Sequence, residues 1–257
     1  MHPLLKKKGF VVDIDGVIGK SVEPIRGGVN GVKKLIELGK KVVFVSNNST
    51  RSRRILIQRL RSFGIEVGEE SVVSATHATA KFIAREKEGA KVFTTGEEGL
   101  KEELLNAGLR IVDYEDAEYL VVGSNRKIDY ELMTKALRCC LRGTRYIATN
   151  PDKIFPSENG PTPGTGMIIG ALYWMTGRMP DAIVGKPSKV IMLEALEKLN
   201  LSAEDVVVVG DQIEVDVVAG KNIGATTLLV LTGVANRSDV ERTDIKPDYV
   251  AESLESL

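Results

Sequence analysis

An α/β fold built on a mostly parallel sheet is predicted by three observations. Short β-branched runs alternate with segments of helical period, several of those runs are continuously apolar, and several helical segments end at a glycine. Strand runs fall at 10–15, 41–46, 91–95, 119–123, 145–149, 182–185, 206–210 and 226–231. Their unbroken Val and Ile content suits strands covered on both faces. Amphipathic stretches at 29–38, 51–63, 76–87, 130–141, 189–199 and 216–223 supply the crossovers. Gly39, Gly64, Gly108 and Gly224 close helical stretches, because glycine best tolerates the left-handed turn that follows a helix. Residues 88–180 repeat the strand–helix logic on their own, around a loop at 150–166 rich in Pro, Gly and Asn. They read as a second α/β domain inserted into a core of residues 1–87 and 181–257.

Composition narrows the function. The chain has 257 residues, 43% hydrophobic and 27% charged, enough apolar material for a real core and too much for a disordered chain. Lys and Arg number 35 against 35 Asp and Glu, a formal charge of zero that argues against nucleic acid as a partner. No apolar stretch approaches the roughly 18 residues of a membrane span, and the first ten residues are too short and lysine-rich for a signal peptide. A cytoplasmic location without a membrane partner is expected. The two cysteines, Cys139 and Cys140, are adjacent in a helical stretch, a poor geometry for a disulfide, and read as packing residues.

The chemistry collects at strand ends. The first strand runs out in Asp13-Ile14-Asp15-Gly16; alternation puts Asp13 and Asp15 on one side, so two carboxylates converge where open α/β sheets bind ligands. Close like charges call for a cation or a shared proton, and a hard, oxygen-preferring Mg²⁺ suits them. The second strand ends in Ser46-Asn47-Asn48 just before a helix, where backbone N–H groups and the helix dipole favour phosphate, although small polar residues there are also ordinary caps. Gly185-Lys186-Pro187 places one lysine between a strand and a helix, and Gly210-Asp211 with Asp216 brings more acid to a strand's carboxyl end. Taken singly, each motif is also an ordinary surface feature; in chain order, they supply nucleophile, phosphate donors and metal ligands.

That set resembles the haloacid dehalogenase superfamily, and within it the NagD-type, 4-nitrophenylphosphatase-like branch with a large α/β cap. The match runs from Phe10 to the Lys246-Pro247-Asp248-Tyr249 strand and includes the cap stretches Thr149-Asn150-Pro151-Asp152 and Pro163-Gly164-Thr165-Gly166. One departure is Ile18-Gly19, where many members carry Thr-Leu or Val-Leu. The resemblance implies a Rossmann-like core and a Mg²⁺-dependent phosphatase of small phosphate monoesters. It implies Asp13 as nucleophile forming an aspartyl-phosphate, and Asp15 as general acid and then base. Mg²⁺ would be held by Asp13, Asp211 and the Asp15 main chain. Ser46, the Asn47 backbone and Lys186 would bind phosphate, with Asp216 orienting Lys186 or water. Substrate choice would come from the cap, through Asp152, Lys153 and Phe155 in the 150–156 loop. An exposed cap face would suit a homodimer. Two alternatives stay open: a phosphotransferase or phosphomutase with an alcohol acceptor, and a non-catalytic module that binds a phosphometabolite. The glycines at 164–170 imitate a dinucleotide fingerprint but follow a loop where the fingerprint needs a strand.

Overall fold

A computed structural model describes residues 2–155 and 160–257. Its first half carries β1 (Gly9–Asp13), the ribbon β2 (Gly19–Lys20) and β3 (Glu23–Pro24), α1 (Arg26–Glu37), β4 (Lys41–Ser46), α2 (Arg53–Ser62), β5 (Val72–Ser74) and α3 (Ala75–Glu86). The middle carries β6 (Lys91–Thr94), α4 (Glu98–Asn106), β7 (Arg110–Ile111), β8 (Tyr119–Val122), α5 (Tyr130–Leu141), β9 (Arg145–Ala148), the ribbon β10 (Ile154–Phe155) and β11 (Thr162–Pro163), and α6 (Thr165–Thr176). The last part carries β12 (Ala182–Ile183), α7 (Lys189–Leu199), β13 (Val206–Gly210), α8 (Val218–Ile223), β14 (Thr226–Val230), α9 (Arg237–Arg242) and β15 (Tyr249–Ala251). The predicted α/β class is the one the chain adopts.

Two compact units result. The first comprises Met1–Ser46, Leu56–Val73 and Lys186–Leu257, and the second Asn47–Ile55 and Ser74–Gly185. The first unit holds a six-stranded sheet in the order β15-β14-β13-β1-β4-β5. Chain order reverses beside β1, which pairs in parallel with both β13 and β4, and that reversal is where such sheets open a crevice at their carboxyl ends. All five residues of β1 are buried, which is why its sequence runs without polar alternation up to Asp13. Phe10, Val12, Leu35, Phe44, Leu56 and Leu60 pack in one core cluster around it. The second unit holds a parallel five-stranded sheet, β12-β9-β8-β6-β7, over its own cluster of Leu120, Tyr146, Ile168 and Leu172. Cys139 and Cys140 lie buried in that cluster as free thiols, and burial pushes Cys139 up to about 11.

Two local expectations are corrected. The first strand stops at Asp13, two residues before the predicted end, because Ile18 and Gly19 both donate to the Ile14 carbonyl and close a turn there. Gly16 takes φ +89° in that turn, and a Cβ on it would collide with the Asp211 carboxylate, so only glycine fits. The helical stretch predicted from 216 instead begins as a wide π turn at Ile213–Val217, which continues into α8. Asp216 reaches back from it to the N–H groups of Asp211 and Gln212, 3.1 and 3.0 Å away. Such widened turns recur at functional sites.

Candidate active site

Within the first unit, β1 delivers Asp13, β13 runs into Asp211, and the wide turn after it presents Asp216. Lys186, two residues before the Ser188 cap of α7, is buried among them rather than solvated. Its ammonium donates to Asp13 Oδ1 at 2.5 Å and to Asp216 Oδ1 at 2.7 Å. Asp216 is thereby fully engaged, one oxygen on Lys186 and the other on backbone N–H groups. Asp211 Oδ2 accepts from Val234 N at 2.7 Å, while its Oδ1 is buried without a hydrogen-bond partner among the described residues. Ser46 closes β4, whose Val45 pairs in register with Asp13, and is 1% exposed.

Electrostatics make this cluster unusual. Desolvation raises the Asp13 carboxyl well above its ordinary value; Lys186 opposes the shift, and Asp216, Asp211 and Asp15 reinforce it. Burial, then Asp216, lifts Asp211 to about 7. For Lys186, burial acts downward but is outweighed by Asp13 and Asp216, which hold the ammonium protonated above the usual lysine range. Three buried carboxylates thus face one ammonium, an imbalance that a divalent cation would remove. One oxygen each of Asp13, Asp211 and Asp216 lies within 4.8 Å of the others. An all-oxygen donor set with an orphaned buried acceptor on Asp211 fits a hard cation such as Mg²⁺.

Asp15 behaves differently from the sequence reading. Since β1 ends at Asp13, the alternation argument fails, and the two carboxylates take separate cations. Asp15, 44% exposed, accepts through Oδ1 from Nη1 of Arg59 at 2.6 Å, and Arg59 itself is 7% exposed. Arg59 does not stand out in the sequence, because α2 also carries Arg53, Arg54 and Arg61 and has the composition of a solvated basic helix. The signal was its position: Leu56, Arg59 and Phe63 are spaced i, i+3 and i+7, so the arginine interrupts an apolar stripe.

In the second unit, Asn47 Nδ2 donates to Asp152 Oδ1 at 3.0 Å, and Asn150 Nδ2 donates to the Asn47 carbonyl at 2.7 Å. The residue after Ser46 is therefore tied to the 150–155 loop. Lys153 on that loop is exposed and Phe155 half-buried, while Pro156 lies outside the described residues. Glycines 164 and 166 sit at the start of α6 and pack against the Asp152 carbonyl, as close-approach residues of that loop.

A family profile described as haloacid dehalogenase-like hydrolase matches residues 10–110, and a second HAD-hydrolase-like profile matches 183–257. The fold is similar to a solved p-nitrophenyl phosphatase from Archaeoglobus fulgidus at 73% identity and TM-score 0.95, over 97% of each chain. The sequence is 36% identical to the 5'-nucleotidase YutF of Bacillus subtilis over 96% of each chain. It is 35% identical to an acid sugar phosphatase of Staphylococcus haemolyticus, over 96% of this chain and 94% of that one.

Proposed function

The chain belongs to the haloacid dehalogenase-like hydrolases and is a phosphatase of small phosphate monoesters, and from that premise we propose how its residues divide the work. Asp13 is the nucleophile. One of its carboxylate oxygens bonds to phosphorus as the bond from phosphorus to the ester oxygen breaks, giving an aspartyl-phosphate. Asp15 gives its proton to the departing alkoxide, then takes one from the water that attacks the intermediate, releasing inorganic phosphate and restoring Asp13. Ser46 and the Asn47 backbone hold the phosphoryl oxygens, and Lys186 offsets negative charge on phosphate and nucleophile. Asp216 orients Lys186.

Mg²⁺ is the cation we assign to Asp13, Asp211 and the Asp15 main chain, where it supplies charge neutralisation for the phosphoryl group. The observation that carries the reading is the buried Asp13–Lys186–Asp216 cluster beside an unsatisfied Asp211 oxygen. We read residues 88–180 as the domain that selects the leaving group, through Asp152, Lys153 and Phe155. Within the second unit, the Asn47–Asp152 hydrogen bond supports that reading by tying this loop to Asn47. We propose a cytoplasmic location and a small phosphate ester as partner; among the described residues no helix is long and apolar enough to cross a membrane.

Phosphate release from 4-nitrophenyl phosphate, with Mg²⁺ and with chelator, is the direct test, followed by sugar phosphates and nucleoside 5'-monophosphates. Turnover that needs Mg²⁺ is expected; silence across the whole set would sink the hydrolase reading.

Metal binding has a signature apart from turnover. In the metal-free protein Asp211 carries a raised value of about 7, above the roughly 3.9 of an unfolded chain, so the folded state binds more protons between them. Stability of the metal-free form should fall as pH rises through that window. Mg²⁺ needs the ionised carboxylate, so the rise in thermal midpoint on adding it should be larger at pH 8 than at pH 5. An equal rise at both pH values would count against Asp211 as a ligand.

A further inference from the structure

Arg59 is a costly residue for a core helix. Its side chain is 7% exposed, and Nε and Nη2 are buried without a hydrogen-bond partner among the described residues. The guanidinium lies 5.5 Å from the centre of the Phe63 ring, and Nη1 donates to Asp15 Oδ1. Taking such a cation out of water is costly, and an imperfectly satisfied fork adds to the cost. A methionine or leucine would fill the Leu56–Phe63 stripe without that cost. What the cation does supply is a private counter-ion for Asp15.

Asp15 needs one. It follows Asp13 by two residues, and among the described residues the other buried cation is Lys186, already shared by Asp13 and Asp216. A carboxylate left to itself there would be drawn onto Lys186 or onto a metal beside Asp13, and would no longer be free to exchange a proton with substrate. We propose that Arg59 is a positioning residue of the reaction: by holding Oδ1 it keeps Asp15 apart from the Lys186 cluster and leaves Oδ2 to carry the proton. This rests on the reading of Asp15 as general acid and base.

The test uses the leaving group. 4-Nitrophenolate departs without help, whereas the alkoxide of glycerol phosphate must be protonated as it leaves. In Arg59→Met the first step on 4-nitrophenyl phosphate should stay fast while hydrolysis of the phosphoenzyme slows. A burst of 4-nitrophenol stoichiometric with enzyme should then precede a slow steady state. Turnover of glycerol phosphate should fall about a hundredfold with no burst, the low end of a general-acid contribution. Asp15→Asn should show the same pattern, and adding Arg59→Met to Asp15→Asn should cost less than threefold more, because the two act as one unit. Arg59→Lys, which keeps a cation, should recover part of both rates.

The outcomes separate cleanly. If Asp15→Asn gives the pattern and the Arg59 variants do not, the inference fails and the acid–base reading survives. If Asp15→Asn itself spares glycerol phosphate, the acid–base reading fails and takes this inference with it. A merely structural role for Arg59 would lower both substrates together, without a burst, and would add its full cost in the double variant. Should Arg59→Met not fold, the burst and leaving-group comparison on Arg59→Lys decides in the same terms, with loss on both substrates alike overturning the proposal.

Discussion

Asp13→Asn should abolish turnover, by about 10⁴-fold or more, while leaving substrate binding in place. The amide keeps the shape of the side chain and can still accept from Lys186, but it is far too weak a nucleophile to attack phosphorus. Acid-quenched mixtures of wild type and substrate should contain phosphorylated enzyme, and those of the variant none. Stability should move the other way. Asp13 is buried among Asp15, Asp211 and Asp216, and its carboxyl is raised chiefly by desolvation and then by those neighbours against the pull of Lys186. Removing one charge from that crowd should raise the thermal midpoint of the metal-free protein. Turnover within about tenfold of wild type would remove Asp13 from the nucleophile's place; a clear fall in midpoint would mean that the Asp13–Lys186 pair outweighs the repulsion.

Lys186→Met should be the most damaging single change to the fold of the first unit. It leaves Asp13 and Asp216 facing each other without a cation, and breaking a buried pair in this way costs about 3–5 kcal/mol. For a chain of this size, the thermal midpoint should drop by about 6–20 °C. Activity should fall at least about a hundredfold if, as proposed, Lys186 offsets charge on the phosphoryl group. Lys186 sits above the ordinary lysine value, so its own titration removes stability only above about pH 10. The ammonium itself stays charged from pH 6 to pH 9, but without it the raised carboxyls of Asp13 and Asp211 lose an opposing cation, so the deficit of Lys186→Met should be larger at pH 9, where they ionise, than at pH 6. Adding Asp216→Asn should restore part of the stability and none of the activity; a double variant as unstable as the single one would show that charge is not the cause.

Most of this site was written at the ends of strands. β4, α5, α7 and β13 fall where hydrophobic pattern and turn residues put them, because each is bounded by glycine, a cap residue or a charge change. The polar residues just beyond β1, β4 and β13 stand out against those apolar runs. Three things were not visible. That Lys186 is buried depends on Asp13 and Asp216 arriving from remote parts of the chain, and no local pattern distinguishes it from a solvated lysine. The divergence of Asp13 and Asp15 depends on where β1 stops, which the turn at Ile14 sets. Arg59 was hidden by its own helix: with Arg53, Arg54 and Arg61 nearby, only the interrupted stripe of Leu56 and Phe63 marked it.

The strand order of the first unit also governs how the chain must be made. β1 is among the first segments to leave the ribosome and finds β4 soon afterwards, but its other edge is filled by β13, which begins only at Val206. Every strand of the second unit's sheet, through β12 at Ala182–Ile183, is synthesised before then. A nascent chain of intermediate length thus carries one finished sheet and one half-sheet whose open edge is the Gly9–Asp13 strand, and an unpaired apolar edge is a template for association. Slowing elongation ahead of Val206 lengthens that exposure, so losses to aggregation during production should track translation speed through 186–206 more closely than the stability of the completed enzyme.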